Sequence, residues 1–157
     1  MNAQSETHRC TVKLFLRADP ELGCERQKQA VIDQLETLAA RGQIDDYEVN
    51  IWTKEIRLSG PLEGTRYYQT VIDHFTAFQE WADETGVMLN AAFKTQSVDC
   101  EITGETYRVL SLPCICLAVY EDGELCAVYP HASGEMSQTA SSCLEQLASA
   151  ARINYVG

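Results

Sequence analysis

Basic residues are scarce in this chain. Lysine and arginine number 12 among 157 residues, against 23 aspartates and glutamates, so the net charge is −11, and only four of the twelve are lysine. Nucleic-acid affinity depends on lysine and arginine contacts to phosphate. The surface therefore disfavours nucleic acid as a partner, though it does not forbid it. The same imbalance suits a salt-rich cytoplasm, where self-repulsion is screened within about 3 Å at 1 M, and a salt-adapted source is expected. Long hydrophobic runs are missing too. The longest, Cys114–Tyr120, is far short of the roughly 20 residues that span a bilayer, so no membrane partner is expected. The opening MNAQSETHRC has no apolar signal core. A cytoplasmic location is expected, and the seven cysteines are expected to be mostly reduced. Walker, G-x-S-x-G, H-E-x-x-H and G-x-G-x-x-G motifs are lacking. His8, His74 and His131 are too dispersed for a triad or metal cluster, with His131 expected in a solvated loop. Neither a metal nor a cofactor is expected.

The residues present describe one globular α/β domain. Residues 1–9 read as a frayed tail, 10–152 as a single domain and 153–157 as a second tail. In TVKLFLR, 11–17, Val12, Leu14 and Leu16 share one face and Phe15 takes the other, which predicts a well-buried strand. From Cys24 to Arg41 the spacing of Val31, Leu35, Leu38 and Ala39 predicts a helix with Glu25, Lys28, Asp33 and Glu36 outside the stripe. YEVNIW alternates, which predicts a half-exposed strand with Tyr47, Val49 and Ile51 on one face, continuing toward Leu58. Thr65 is placed to cap a helix over about 65–85, with Tyr68, Ile72, Phe75, Phe78 and Ala82 inward and Gly86 as its stop. Tyr67 and Trp81 lie off that stripe, where they could mark an apolar patch for a partner. Residues 87–110 read as an insertion with a hairpin around Thr103-Gly104.

CICLAVY is apolar on both faces, as a strand covered on both sides must be. Asp122-Gly123 then predicts a two-residue hairpin that sets Tyr120 opposite Leu125, Val119 opposite Cys126 and Cys116 opposite Tyr129. A last helix is expected over about 139–151. A strand–helix–strand opening makes the first two strands parallel. The two strands apolar on both faces, 11–17 and 114–120, should be central, with 46–52 and 124–129 at the edges and helices on both faces. Cys114 and Cys116, on alternate positions, read as buried apolar thiols, as do Cys126 and Cys143. Pro113 reads as a tight turn, cis, that delivers the chain into the central strand.

This order, with a proline entering the third strand and a tight hairpin after it, resembles the thioredoxin fold. The resemblance implies a three-layer βαβ-α-ββ-α sandwich with a four-stranded mixed sheet. It also implies a cis proline, matched by Pro113, facing a cysteine at the first helix start, matched by Cys24. The family's C-x-x-C is here Cys24-Glu25-Arg26-Gln27, which excludes a dithiol cycle between those positions and leaves a monothiol role. Cys24 and Pro113 are therefore the candidate catalytic residues, because helix N-terminal amides favour thiolate. The stretches LRAD, ERQ, LPCICLAVYEDGEL and the YY after a glycine-bearing turn also resemble a family of small acidic halophile proteins usually labelled helix-turn-helix. Six residues, 18–23, are too few for a second helix before 25–41, and a strand follows on the other side. Three readings stay open: a non-catalytic module binding a protein or small ligand, a monothiol redox protein using Cys24, and a transcriptional regulator.

Overall fold

Strands that are apolar on both faces need cover on both sides, and this requirement organises the chain. A computed structural model describes residues 9–18, 24–58, 65–90, 92–99 and 101–156, with side chains described as far as residue 149. Strand β1 (Cys10–Arg17) and strand β6 (Ile115–Glu121) are neighbours and antiparallel, with Leu14 opposite Leu117. Strand β2 (Asp46–Trp52) runs parallel to β1, and β7 (Glu124–Tyr129) antiparallel to β6, in the order β2-β1-β6-β7. The two strands apolar on both faces are inner and the two alternating ones outer, as expected.

The period-2 alternation of the inner strands divides the core in two. Val12, Leu14, Leu16, Leu117 and Val119 pack with Val31, Leu35 and Leu38 of helix α1 (Cys24–Ala40) and with Cys143 and Leu144 of helix α3 (Ala140–Val156). Phe15, Cys116 and Ala118 turn to the other face, against Val71, Phe78 and Ala82 of helix α2 (Arg66–Thr85). Thr65 accepts the Tyr68 amide at the start of α2, and Gly86, at φ 83°, closes its end in the left-handed conformation. At α3, Thr139 and Ser142 exchange amide-to-hydroxyl bonds, so the helix start is capped from both sides. Among the described residues, the chain is thus a mixed α/β protein with a mixed four-stranded sheet and three helices.

A second sheet of order β3-β5-β4 joins β3 (Glu55–Arg57), β4 (Lys94–Asp99) and β5 (Thr106–Ser111), all antiparallel pairs. The β4–β5 pair is the hairpin expected around Thr103-Gly104. The strand expected to continue toward Leu58 instead ends at Trp52 and resumes as β3 in this other sheet. A further hairpin, β8 (His131–Ser133) with β9 (Met136–Gln138), occupies residues where no strand was expected.

Several packing expectations need correction. The Asp122-Gly123 turn forms, with φ 54° and 86°, and Tyr120 does face Leu125. Beyond that pair the register slips, setting Val119 opposite Ala127 and Leu117 opposite Tyr129. Cys126 is the extra residue of a β-bulge, which leaves it exposed rather than in the core. Val49 and Ile51 are also exposed. They lie on the α1 side of an outer strand, where the core reaches only Tyr47, while Trp52 carries the buried face. Lys28, outside the apolar stripe of α1, is nonetheless buried, for a reason that belongs to the site. Of the two residues off the α2 stripe, Tyr67 is exposed, with its hydroxyl accepting the Thr53 amide, and Trp81 is half-buried, packed edge-on against His131.

Replacing Phe78, which is fully buried at the centre of the α2 face, by alanine should cost about 3–5 kcal/mol of stability. Ile51→Ser should change it by no more than about 0.5 kcal/mol. Urea denaturation of both variants checks this, and the reverse ranking would mean that the apolar face of β2 is inside.

Candidate functional site

Because β1 and β6 are antiparallel, the end of β1 and the beginning of β6 lie at one edge of the sheet. The segment Leu112-Pro113-Cys114 crosses that edge, and each of its carbonyls is received by a separate donor. Arg17 Nη1 donates to the Leu112 oxygen at 3.4 Å, Trp52 Nε1 to that of Pro113 at 3.0 Å, and the Arg17 amide to that of Cys114 at 3.0 Å. The Leu112 amide donates to Lys54 O at 2.9 Å. The backbone between the two sheets is therefore fixed by the ends of β1 and β2.

That placement sets Cys114 against the first residue of α1. Cys24 and Cys114 form a disulfide, their Cα atoms 6.7 Å apart, inside the range such a bond spans. One turn along α1, Lys28 Nζ donates to the Arg17 carbonyl at 2.6 Å and pairs with Glu25 at 3.0 Å. The Glu25 carboxylate beside Cys24 is thus engaged by a cation. Lys28 is buried because it ties the start of α1 to the end of β1.

Two site expectations are overturned here. Cys114 is not a core thiol, since it precedes β6 and does not share the inward direction of Cys116, which is buried on the α2 face. A second sulfur does meet Cys24, supplied from the strand entrance rather than from a C-x-x-C, so a dithiol pair is sterically available. Nor is Pro113 cis: among the described residues the cis peptide is Tyr129–Pro130. Leu112 has both backbone groups bonded, and the chain bends at Cys114, the residue after Pro113.

The other described thiols are held as neutral groups. Burial raises Cys116 far above the ordinary thiol range and pushes Cys143 up to about 12. Burial first, then the Glu121 and Asp45 carboxylates, push Cys10 up to about 11. His74 is wedged between Phe15 and Phe78, and burial lowers its pKa. His131 is not a solvated loop residue. It lies half-buried in β8, and its Nδ1–H donates to Val128 O at 2.7 Å, since a carbonyl only accepts. Among the described residues no group of three His, Cys, Asp or Glu side chains is placed to hold a metal, and no helix is long and apolar enough to cross a membrane.

Two cavities flank the site. One, of about 460 Å³, is lined by Arg17, Leu112 and Pro113, and the other, of about 480 Å³, by Cys114, Gln27 and Val31. Pro130 and Thr139 line both. Sequence reasoning named Cys24 and Pro113, and around them the structure places Cys114, Arg17, Lys28 and Trp52. A usable signal existed for Cys114. Cys24 follows the end of the first strand, and Cys114 precedes its central neighbour. An antiparallel pairing of those two strands puts both cysteines at one edge.

A family model described as "Helix-turn-helix domain" matches residues 4–152. No curated protein and no solved structure matches the chain.

In the oxidised protein, iodoacetamide at pH 8 should label Cys126 ahead of the other described thiols and leave Cys24 and Cys114 unmodified. Cys116 and Cys143 should react only on unfolding. The Cys10 rate should rise about tenfold per pH unit up to about pH 11, as its thiolate fraction does. Peptide mass mapping checks each position, and labelling of Cys24 without prior reduction would contradict the pairing.

Proposed function

The chain belongs to the family described as a helix-turn-helix domain, and on that footing we propose that it is a thioredoxin-like binding and regulatory module whose working site is a reversible Cys24–Cys114 pair. The observation that carries this reading is the link between the first residue of α1 and the residue after Pro113. The strand order β2-β1-β6-β7, with α1 and α3 on one face and α2 on the other, supports the thioredoxin-like part. In this reading residues 10–152 are one domain and 87–110 an insertion before the third strand of its sheet. In the cytoplasm proposed for the protein, disulfides that form are mostly transient and redox-sensing.

The chemistry is thiol–disulfide exchange. In the reduced form Cys24 gives up its proton, and its thiolate attacks one sulfur of a partner disulfide. The partner's other sulfur leaves as thiolate and is protonated. Cys114, deprotonated in turn, attacks Cys24 Sγ and expels the first partner sulfur as a second thiolate. Two electrons pass to the partner, two protons follow, and the Cys24–Cys114 bond closes. A partner dithiol drives the same steps in reverse. The α1 N-terminus stabilises the Cys24 thiolate, and the Lys28–Glu25 pair offsets the adjacent carboxylate. Pro113 holds the chain beside the pair and takes no proton.

The regulator reading follows from the family's description. Strands separate α1 from α2 and α2 from α3 among the described residues, and the net charge is −11. Both support a regulatory role exerted through a protein or small ligand ahead of one exerted by a helix pair in a DNA groove.

Alkylation of the fully reduced protein as a function of pH should show Cys24 ionising below the ordinary thiol value. Cys114→Ser should accumulate a mixed disulfide at Cys24 with an aromatic disulfide reagent, and Cys24→Ser should accumulate none at Cys114. An ordinary Cys24 thiol that traps no adduct would make the bond a structural clamp. Saturable DNA binding by either redox form would favour the regulator reading in its literal sense.

A further inference from the structure

The two outer strands of the four-stranded sheet end it differently. Strand β7 is broken by the bulge at Cys126 and stops at Pro130, which has no N–H to offer. Strand β2 runs seven residues, DYEVNIW, in unbroken register with β1 and carries no proline or lysine. A strand edge without such devices is a template for another strand.

Which groups face that edge follows from one bond. The Trp52 carbonyl turns toward β1, where it accepts the Ala18 amide at 2.8 Å. The N–H and C=O of one residue leave a strand on the same side, and those of the next residue on the other. Glu48, Asn50 and Trp52 therefore bond toward β1, while Tyr47, Val49 and Ile51 turn their backbone groups outward. The Tyr47 amide is met by the Asp46 carboxylate at 2.8 Å. Among the described residues the outward groups of Val49 and Ile51 are met by none. Their side chains share the α1 side with Tyr47, and Val49 is 41% and Ile51 59% exposed.

We infer that β2 pairs antiparallel with β2 of a second copy of this chain, across a two-fold axis at Val49. The strand's own sequence selects that register. Centring on Glu48 would set this carboxylate against its own copy, and centring on Asn50 would push Tyr47 past the end of the facing strand. Val49 is the middle residue of Asp46–Trp52, so centring there pairs the whole strand. Tyr47 then meets Ile51 and Val49 meets itself, which makes an apolar ladder along the α1 side. On the other side Glu48 meets Asn50, a pair already bonded within one chain, Asn50 Nδ2 to Glu48 Oε2 at 3.1 Å. The outward backbone groups of Tyr47, Val49 and Ile51 bond those of Ile51, Val49 and Tyr47 of the second copy, and Tyr47 exchanges its Asp46 acceptor for the Ile51 carbonyl. The net charge of −11 on each copy opposes the contact, and salt relieves that opposition, the screening length falling from about 10 Å at 0.1 M to about 3 Å at 1 M. No step of the thiol exchange uses this edge, so the two readings stand or fall separately.

Sedimentation equilibrium of the full-length oxidised protein should show a monomer–dimer equilibrium. Its dissociation constant should lie between about 10 μM and 1 mM at about 1 M salt, as suits a contact smaller than a standard interface. At about 0.1 M salt the dimer should be at least about tenfold weaker. Val49→Asp, which sets two carboxylates on the axis, should weaken it at least about tenfold. Cross-linking reads the register without relying on that variant's folding. In a Cys126→Ser background, Val49→Cys should join two chains through a disulfide, because the facing Cα atoms stand about 5.5 Å apart. Ile51→Cys, at the more exposed position, should not, because its two copies stand about 14 Å apart. Non-reducing electrophoresis after mild oxidation compares the two. A monomer at every salt concentration, an unaltered dimer in Val49→Asp, or cross-linking of Ile51→Cys as fast as Val49→Cys would overturn the assignment.

Discussion

Three consecutive carbonyls, each met by its own donor, hold the junction of this molecule's two sheets together. Leu112, Pro113 and Cys114 lie where the two sheets meet, and their oxygens are received by the Arg17 side chain, the Trp52 indole and the Arg17 amide. A buried backbone oxygen left without a partner costs about 1–3 kcal/mol, so these bonds define one path for the segment. The consequences spread outward. Arg17 stays at the end of β1, and Lys28 can then bond its carbonyl and draw in the start of α1. Trp52 is stacked 4.8 Å from Phe15 and carries the same restraint into the α2 side of the core. Cys114 meets Cys24 because both ends of the contact are held from behind.

The architecture was legible where local signals and burial agree. Val12, Leu14 and Leu16 on one face with Phe15 on the other announce an inner strand, and Asp122-Gly123 announces its hairpin. Thr65 and Gly86 bracket α2 closely. What stayed hidden depended on geometry that no short window carries. A bulge adds one residue without changing the alternation enough to notice, so Cys126 read as core. Val49 and Ile51 look inward by pattern, yet an outer strand extends past the helix that would cover them. The β8–β9 hairpin has strands of three residues, too short for periodicity to register.

The site was half legible for a related reason. Cys24 is marked by its place at a helix start, a local fact. Its partner lies 90 positions later and becomes visible only once the strand pairing is known. Lys28 lies outside the apolar stripe of α1, and lysine is rarely buried; its burial follows from an acceptor, the Arg17 carbonyl, that belongs to another element. The family's description names a two-helix unit, whereas the described helices are each separated by strands. Membership in that family and the mechanism of its members are accordingly separate questions, and the mechanism must be argued from the site.

The Cys24–Cys114 bond also changes what kind of object the chain is. It closes a covalent ring that contains α1 together with β2, β3, α2, β4 and β5, and leaves β1 on one arm and β6, β7, β8, β9 and α3 on the other. By the chain-entropy account a ring of this size removes about 4–5 kcal/mol of freedom from the unfolded state. A single peptide-bond cut anywhere within the ring leaves one connected molecule while the bond is closed, and two separable pieces once it is open. The redox state of two sulfurs therefore decides whether a nick in residues 25–113 is a scar or a severance.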